Sequence, residues 1–227
     1  MLKSGIDQDA LIAAFAQATT KQGETLRKTV SEATLKALQG RELTLDNIRK
    51  VLKTVTQAAS TGAAQNPVGL AGAEALLGKA FDGMDAALLQ AVEAQRKALQ
   101  QFIDQGMDLQ DKQMKGAMGH LEKMEDMFFG AVSKATQGAG DAMQGPWQQV
   151  LQTMKGKGTG TGAQAGVAVE QLVEQARSAL SNGRSTGARA AQAMMDSYAA
   201  LVSGVLIGMS EGLQPQSAAG ASSARRR

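Results

Sequence analysis

Between Pro67 and Pro146 the chain runs without a proline, and apolar side chains recur on one helical phase. They are Leu77, Phe81, Met84, Leu88, Val92, Leu99, Phe102, Leu109, Met114, Ala117, Leu121, Met124, Phe128, Val132 and Ala135. With Gln95 and Gly106 as weaker members, the series takes sixteen steps over fifty-eight residues. That is about 3.6 residues per step, the period of a straight α-helix. A turn in the middle has no reason to keep the phase, so the pattern predicts one long amphipathic helix, or two collinear pieces, over 64–140. The candidate apolar contact face is this series without Gln95, Gly106, Ala117 and Ala135.

The flanking segments read as further helices. Over 6–39, Leu11, Phe15, Ala18, Leu26, Val30, Ala33 and Leu38 share a face, with Asp7 and Asp9 at the positive end of the dipole. Gly40 offers a C-cap. Thr44 offers an N-cap to a second helix carrying Leu45, Ile48, Val51 or Leu52, Val55 and Ala59. The short connection predicts an antiparallel hairpin over 1–63. Arg49, Lys50 and Lys53 give the second helix a basic, solvated side. Asn66 and Pro67 then mark the start of the long helix.

The third segment, 141–213, is expected to hold a short helix starting at Pro146, a Gly/Thr linker (KGKGTGTGAQAG) and a last helix from about 166 to 212. Its glycines have neither phosphate-loop spacing nor a preceding strand, so the linker reads as a flexible connection. Gly204, Gly208 and Gly212, four apart, suit a tight antiparallel helix contact. Residues 214–227 read as a disordered basic tail ending in Arg225, Arg226 and Arg227. The fold class is therefore all-α: an elongated antiparallel helical bundle of long amphipathic helices.

Composition narrows the core. The apolar share is 43% but the aromatic share only 3%, so alanine and methionine must fill narrow seams between helices. Nine glycines between 69 and 138 cost the long helix about 1 kcal/mol each relative to alanine, so it needs a cover. The net charge of +3 is dilute and lacks interleaved aromatics, which speaks against nucleic acid. The longest apolar window, Tyr198 to Met209, is too short for a membrane span. Without cysteine there are no disulfides or thiolate metal sites, which fits a reducing, cytoplasmic setting.

Chemistry is sparse. His120 is the single histidine, so no histidine-based metal cluster or triad can form. The carboxylates Asp104, Asp108, Asp111, Glu122, Glu125 and Asp126 read as a solvated side, with no Glu-x-x-His motif for a di-iron bundle. No catalytic, cofactor or metal residue is expected, and no enzyme activity. Met107, Met114, Met118, Met124 and Met127 border the stripe as core filler, or as an adaptable binding face.

The segment AVEAQRKALQQFIDQGMDLQDKQM, Ala91 to Met114, and the amphipathic helices around it resemble the phasins that coat polyhydroxyalkanoate granules. The likeness is one of composition and pattern over most of the chain. It implies a homo-oligomerising α-helical protein whose apolar stripes adsorb on a polyester granule in the cytoplasm while its charged faces stay in water. The chain departs from that pattern in its glycine content, its Gly/Thr linker and its lack of lysine- and alanine-rich C-terminal repeats. Besides a granule coat, the residues admit a cytosolic scaffold whose helices pair with protein helices, or an exported helical effector.

Overall fold

A computed structural model describes residues 6–19, 22–39, 44–67, 69–105 and 112–181. The described residues form eight α-helices and no strand: α1 Gln8–Gln17, α2 Gly23–Gln39, α3 Leu45–Gln65, α4 Gly69–Asp104, α5 Lys112–Glu122, α6 Met124–Thr136, α7 Asp141–Lys157 and α8 Gly160–Ser181. The all-α class expected from the pattern is the observed one. Leu109, Gly40, the apolar window after Tyr198, the glycines at 204–212 and the tail lie outside the described residues.

In the N-terminal segment α1 and α2 both pack on α3. The expected first helix is two, because Ala18 adopts extended backbone (φ −66°, ψ 136°). A distant residue enforces this break. The buried Asn66 side-chain amide donates to the carbonyls of Phe15 at 2.6 Å and Ala18 at 2.9 Å, so the end of α1 is capped from beyond α3. Asn66→Ala would strip both bonds from buried carbonyls, and an expected loss of about 2–3 kcal/mol is checked by urea unfolding. At the other end of α1 the Asp7 carboxylate accepts from the Ala10 N–H at 3.0 Å, the dipole position read from the sequence. Thr44 caps α3 as expected, its hydroxyl accepting from the Asn47 N–H at 3.3 Å.

Packing skips a partner. α1 lies mainly on α3 and α2 on α4, while α3 also packs on α6 and α4 on α7 and α8. One apolar core therefore runs from Leu11 through all eight helices to Ala176, and the segments 1–63, 64–140 and 141–213 all contribute to it. Of its side chains Trp147, Phe15, Phe81 and Phe128 are the largest fully buried ones. Alanine is prominent among the rest, as the narrow-seam reading requires.

The long helix is also corrected. α4 spans 36 residues, about 54 Å at 1.5 Å per residue, but it ends at Asp104. A second interruption falls at Lys123 (φ −91°, ψ 2°). Gly116 and Gly119, the positions suited to a kink, sit inside α5. The pieces are not collinear: Phe81 of α4 and Phe128 of α6 stack with ring centroids 4.5 Å apart, whereas in one straight helix they would stand about 70 Å apart.

α7 begins at Asp141, one and a half turns before the expected start, with Pro146 inside it. The Gly/Thr segment is no linker. Gly158 (φ +73°) makes a turn that a side chain would strain, and α8 starts two residues later.

Candidate contact face

The stripe's side chains face inward. Leu77, Phe81, Met84, Leu88, Val92, Leu99, Phe102, Leu121, Met124, Phe128 and Val132 are all buried. Leu109 lies outside the described residues, and the side chain of Met114 is likewise not described. The stripe's described members are covered by the protein's own helices, among them α2, α3, α7 and α8. Gln95 takes its step in the same interior and is buried.

Aromatic contacts hold the fold-back together. Phe81 touches both Phe128 and Phe129, the latter at 5.5 Å between centroids. Lys155 of α7 sits 5.9 Å from the Phe129 ring, at the reach of a cation–π contact. On the other side of the core the Trp147 indole N–H donates to the Ser60 hydroxyl at 2.9 Å, and that hydroxyl donates to the Thr56 carbonyl. The polar edge of the tryptophan is thereby satisfied in the interior.

Charges line the seams. Lys79 of α4 donates to Glu24 of α2 at 2.9 Å, and Arg27 donates to the same carboxylate. These hydrogen bonds hold the Glu24 carboxyl below its ordinary pKa. Asp82, beside Lys79, is raised because half-burial disfavours its charge more than Lys79 favours it. Glu93 is lowered, chiefly by its hydrogen bond from Arg96, and it also accepts from Gln164 of α8 at 3.1 Å. Arg49, Lys50 and Lys53 are exposed, as a solvated face should be.

The start of α8 is the most ordered polar cluster. A helix begins with four N–H groups that have no partner within it. Here each has one. The Thr159 N–H and hydroxyl donate to Glu125 of α6 at 3.1 and 2.8 Å. The Gly160 and Thr161 N–H groups donate to the two Asp85 oxygens of α4 at 2.9 and 3.0 Å. The Gly162 N–H donates to the Thr159 hydroxyl, and the Thr161 hydroxyl donates to the Asp85 carbonyl. Two carboxylates thus sit where the helix dipole is positive.

Glu125 is therefore no solvated carboxylate, and Asp85 joins it as a helix cap. The signal for both in the sequence is TGTG ahead of a helical stripe, an N-cap pattern, with an acidic residue on the flank of Phe81, Met84 and Leu88. Of the remaining carboxylates, Asp104, Glu122 and Asp126 are exposed, while Asp108 and Asp111 lie outside the described residues. His120 is half-buried on α5. Met124 and Met127 are core residues and Met118 is half-buried, so this part of the methionine cluster fills space inside.

Among the described residues, no group of histidine or carboxylate side chains could hold a metal ion, and no helix is long and apolar enough to cross a membrane. Residues 1–215 match the model of a family of unknown function (DUF6781). The chain belongs to that family. The family's match thus covers all eight helices, so the buried stripe and the α8 cap both lie inside its bounds. No curated protein and no solved structure matches the chain.

Proposed function

We propose that the protein is a non-enzymatic coat for an apolar surface, of the polyester-granule kind that the phasin resemblance implies, and that the closed bundle is its stored form. The observation that carries this reading is the phase of the stripe. From Leu77 to Ala135 the apolar positions keep one helical register, although α4 and α6 are separate helices whose Phe81 and Phe128 rings meet across the core, and a break in the helix frees each piece to set its own phase. A common register serves an open form in which these helices lie end to end with one apolar side.

The energetics permit such an exchange. A buried leucine, phenylalanine or methionine gains about 1.5–3 kcal/mol relative to water. An apolar surface covers much of the exposed stripe again, which water does not. Opening is therefore costly in water and less costly against an apolar surface.

Mixing the purified chain with washed polyhydroxyalkanoate granules tests the reading. The expected result is sedimentation with the granules, retained helix content by circular dichroism and a changed emission of Trp147, the single tryptophan. Protein that stays in the supernatant at saturating polymer sinks it.

A further inference from the structure

The helices of this bundle are not held with equal strength, and α8 is held differently from the others. Among its described side chains, the buried apolar ones are Ala165, Ala168, Leu172 and Ala176, with Thr161 also buried and Val169 half-buried. Three of these four apolar positions are alanines, which remove little area from water. α2, packed on the same long helix, buries Leu26, Val30, Leu35 and Leu38. By transfer free energy the α2 seam is the stronger by several large side chains. The weight of α8's attachment therefore falls on its polar start: the Asp85 and Glu125 carboxylates at residues 159–161, and the Gln164 bond to Glu93.

Such an attachment behaves differently from an apolar seam. Its acceptors are half-buried and Gly160 is exposed, while Thr159 and Thr161 are buried, so water reaches the latch from one side. The latch is specific in register, because Asp85 and Glu125 hold successive N–H groups, and it depends on two carboxylates, so losing either one loosens it. Gly162 belongs to the same fitting: a Cβ there would overlap the Glu125 carboxylate.

We infer that α8 is a detachable strap, latched over α4, α5 and α6 by Asp85 and Glu125, and that its release is the first step in uncovering the apolar stripe. The release half stands on the geometry alone. The uncovering half rests on the surface-coat reading above. The strap covers the flank of α4 along Asp85, Leu89 and Glu93, next to the buried Leu88 and Val92. Its departure leaves α4 and α5 without one of their covering helices while α1, α2 and α3 stay packed.

Hydrogen exchange followed by mass spectrometry on the full chain tests the strap. Amides of α8 are expected to exchange at least about ten-fold faster than those of α2 and α4, since local opening of weakly held units precedes global unfolding. Asp85→Ala should speed α8 by on the order of ten-fold more and leave α1–α3 unchanged. Thr161→Val, nearly isosteric, removes only the bond to the Asp85 carbonyl and should move α8 the same way by less. Exchange of α8 in step with α2 and α4, or equal acceleration of every helix in both variants, overturns the strap.

Adsorption to granules is the second arm. Asp85→Ala should bind several-fold faster than the unaltered chain. Equal rates with a loosened α8 overturn its place as the first step. If neither protein binds polymer while α8 exchanges as expected, the surface-coat reading fails and the strap stands. If both bind while α8 exchanges with the core, the strap fails and the coat stands.

Discussion

Gly83→Ala should destabilise the protein by about 2–3 kcal/mol, and Gly78→Ala, five residues earlier on the same helix, should stabilise it by up to about 1 kcal/mol. Both glycines are interior to α4, so helix propensity alone predicts the same gain for each. Their surroundings differ. A Cβ on Gly83 would stand 2.6 Å from the Arg27 carbonyl oxygen and 2.8 Å from the Val30 Cβ, atoms at the backbone of α2. A flexible tip could swing aside, but a helix backbone cannot without opening the α2–α4 seam. A Cβ on Gly78 meets nothing within 4 Å. Thermal unfolding by circular dichroism checks the pair. For a chain of this size the Gly83 variant should melt roughly 5–10 °C lower. Shifts in the same direction for both variants would show that the close crossing of α2 and α4 is wrong. Gly62, whose Cβ would meet the Ile12 carbonyl oxygen and the Phe15 Cβ at 2.5 Å, holds the equivalent place between α1 and α3.

Phe128→Ala is expected to cost about 3–5 kcal/mol, since the ring is fully buried and stacked on Phe81. The more searching measurement is a double-mutant cycle on the gentler substitutions Phe81→Leu and Phe128→Leu, which keep the chain folded. If α4 and α6 fold back on each other, the two changes should be coupled by about 0.5–1.5 kcal/mol, the added worth of a stacked pair. In one straight helix the residues would be too distant to interact, and their effects would add within about 0.5 kcal/mol. Denaturant unfolding of the two single variants and the double variant decides between them. An additive cycle would restore the continuous helix over 64–140.

These experiments bear on the points where pattern and packing part company. The phase of Leu77 to Ala135 places every described large member of the face in the core, because a 3.6-residue period records which side of a helix meets apolar surroundings. It does not record whose surroundings those are. A stripe destined for a polymer, a second copy or a neighbouring helix has the same spacing, and no local term ranks them. The fold-back of α6 on α4 depends on Phe81 meeting Phe128 across 47 positions, and the end of α1 depends on an amide that arrives from Asn66.

Caps followed the same division. Thr44 and Asp7 act on N–H groups three residues ahead, so both could be read from the chain alone. The start of α8 has the composition of a flexible linker, because glycine and threonine disfavour a helix locally. Asp85 and Glu125, 75 and 34 residues away from their bonding partners there, supply acceptors that local preference cannot count. Gly83 presents the same contrast, as a weakness of the helix by propensity and the contact point of α2 by packing.

By itself, then, the sequence determined the helical class, the inward side of each described helix and the caps made within one turn. These are short-range matters, set by backbone hydrogen bonding and by which residues avoid water. Only the tertiary structure decided where the long stripe breaks, which helix covers it and why Gly83, Asn66, Asp85 and Glu125 stand where they do. Each of those depends on groups distant in the chain brought within a few ångströms, and contact free energy at that range leaves no periodic trace along the sequence.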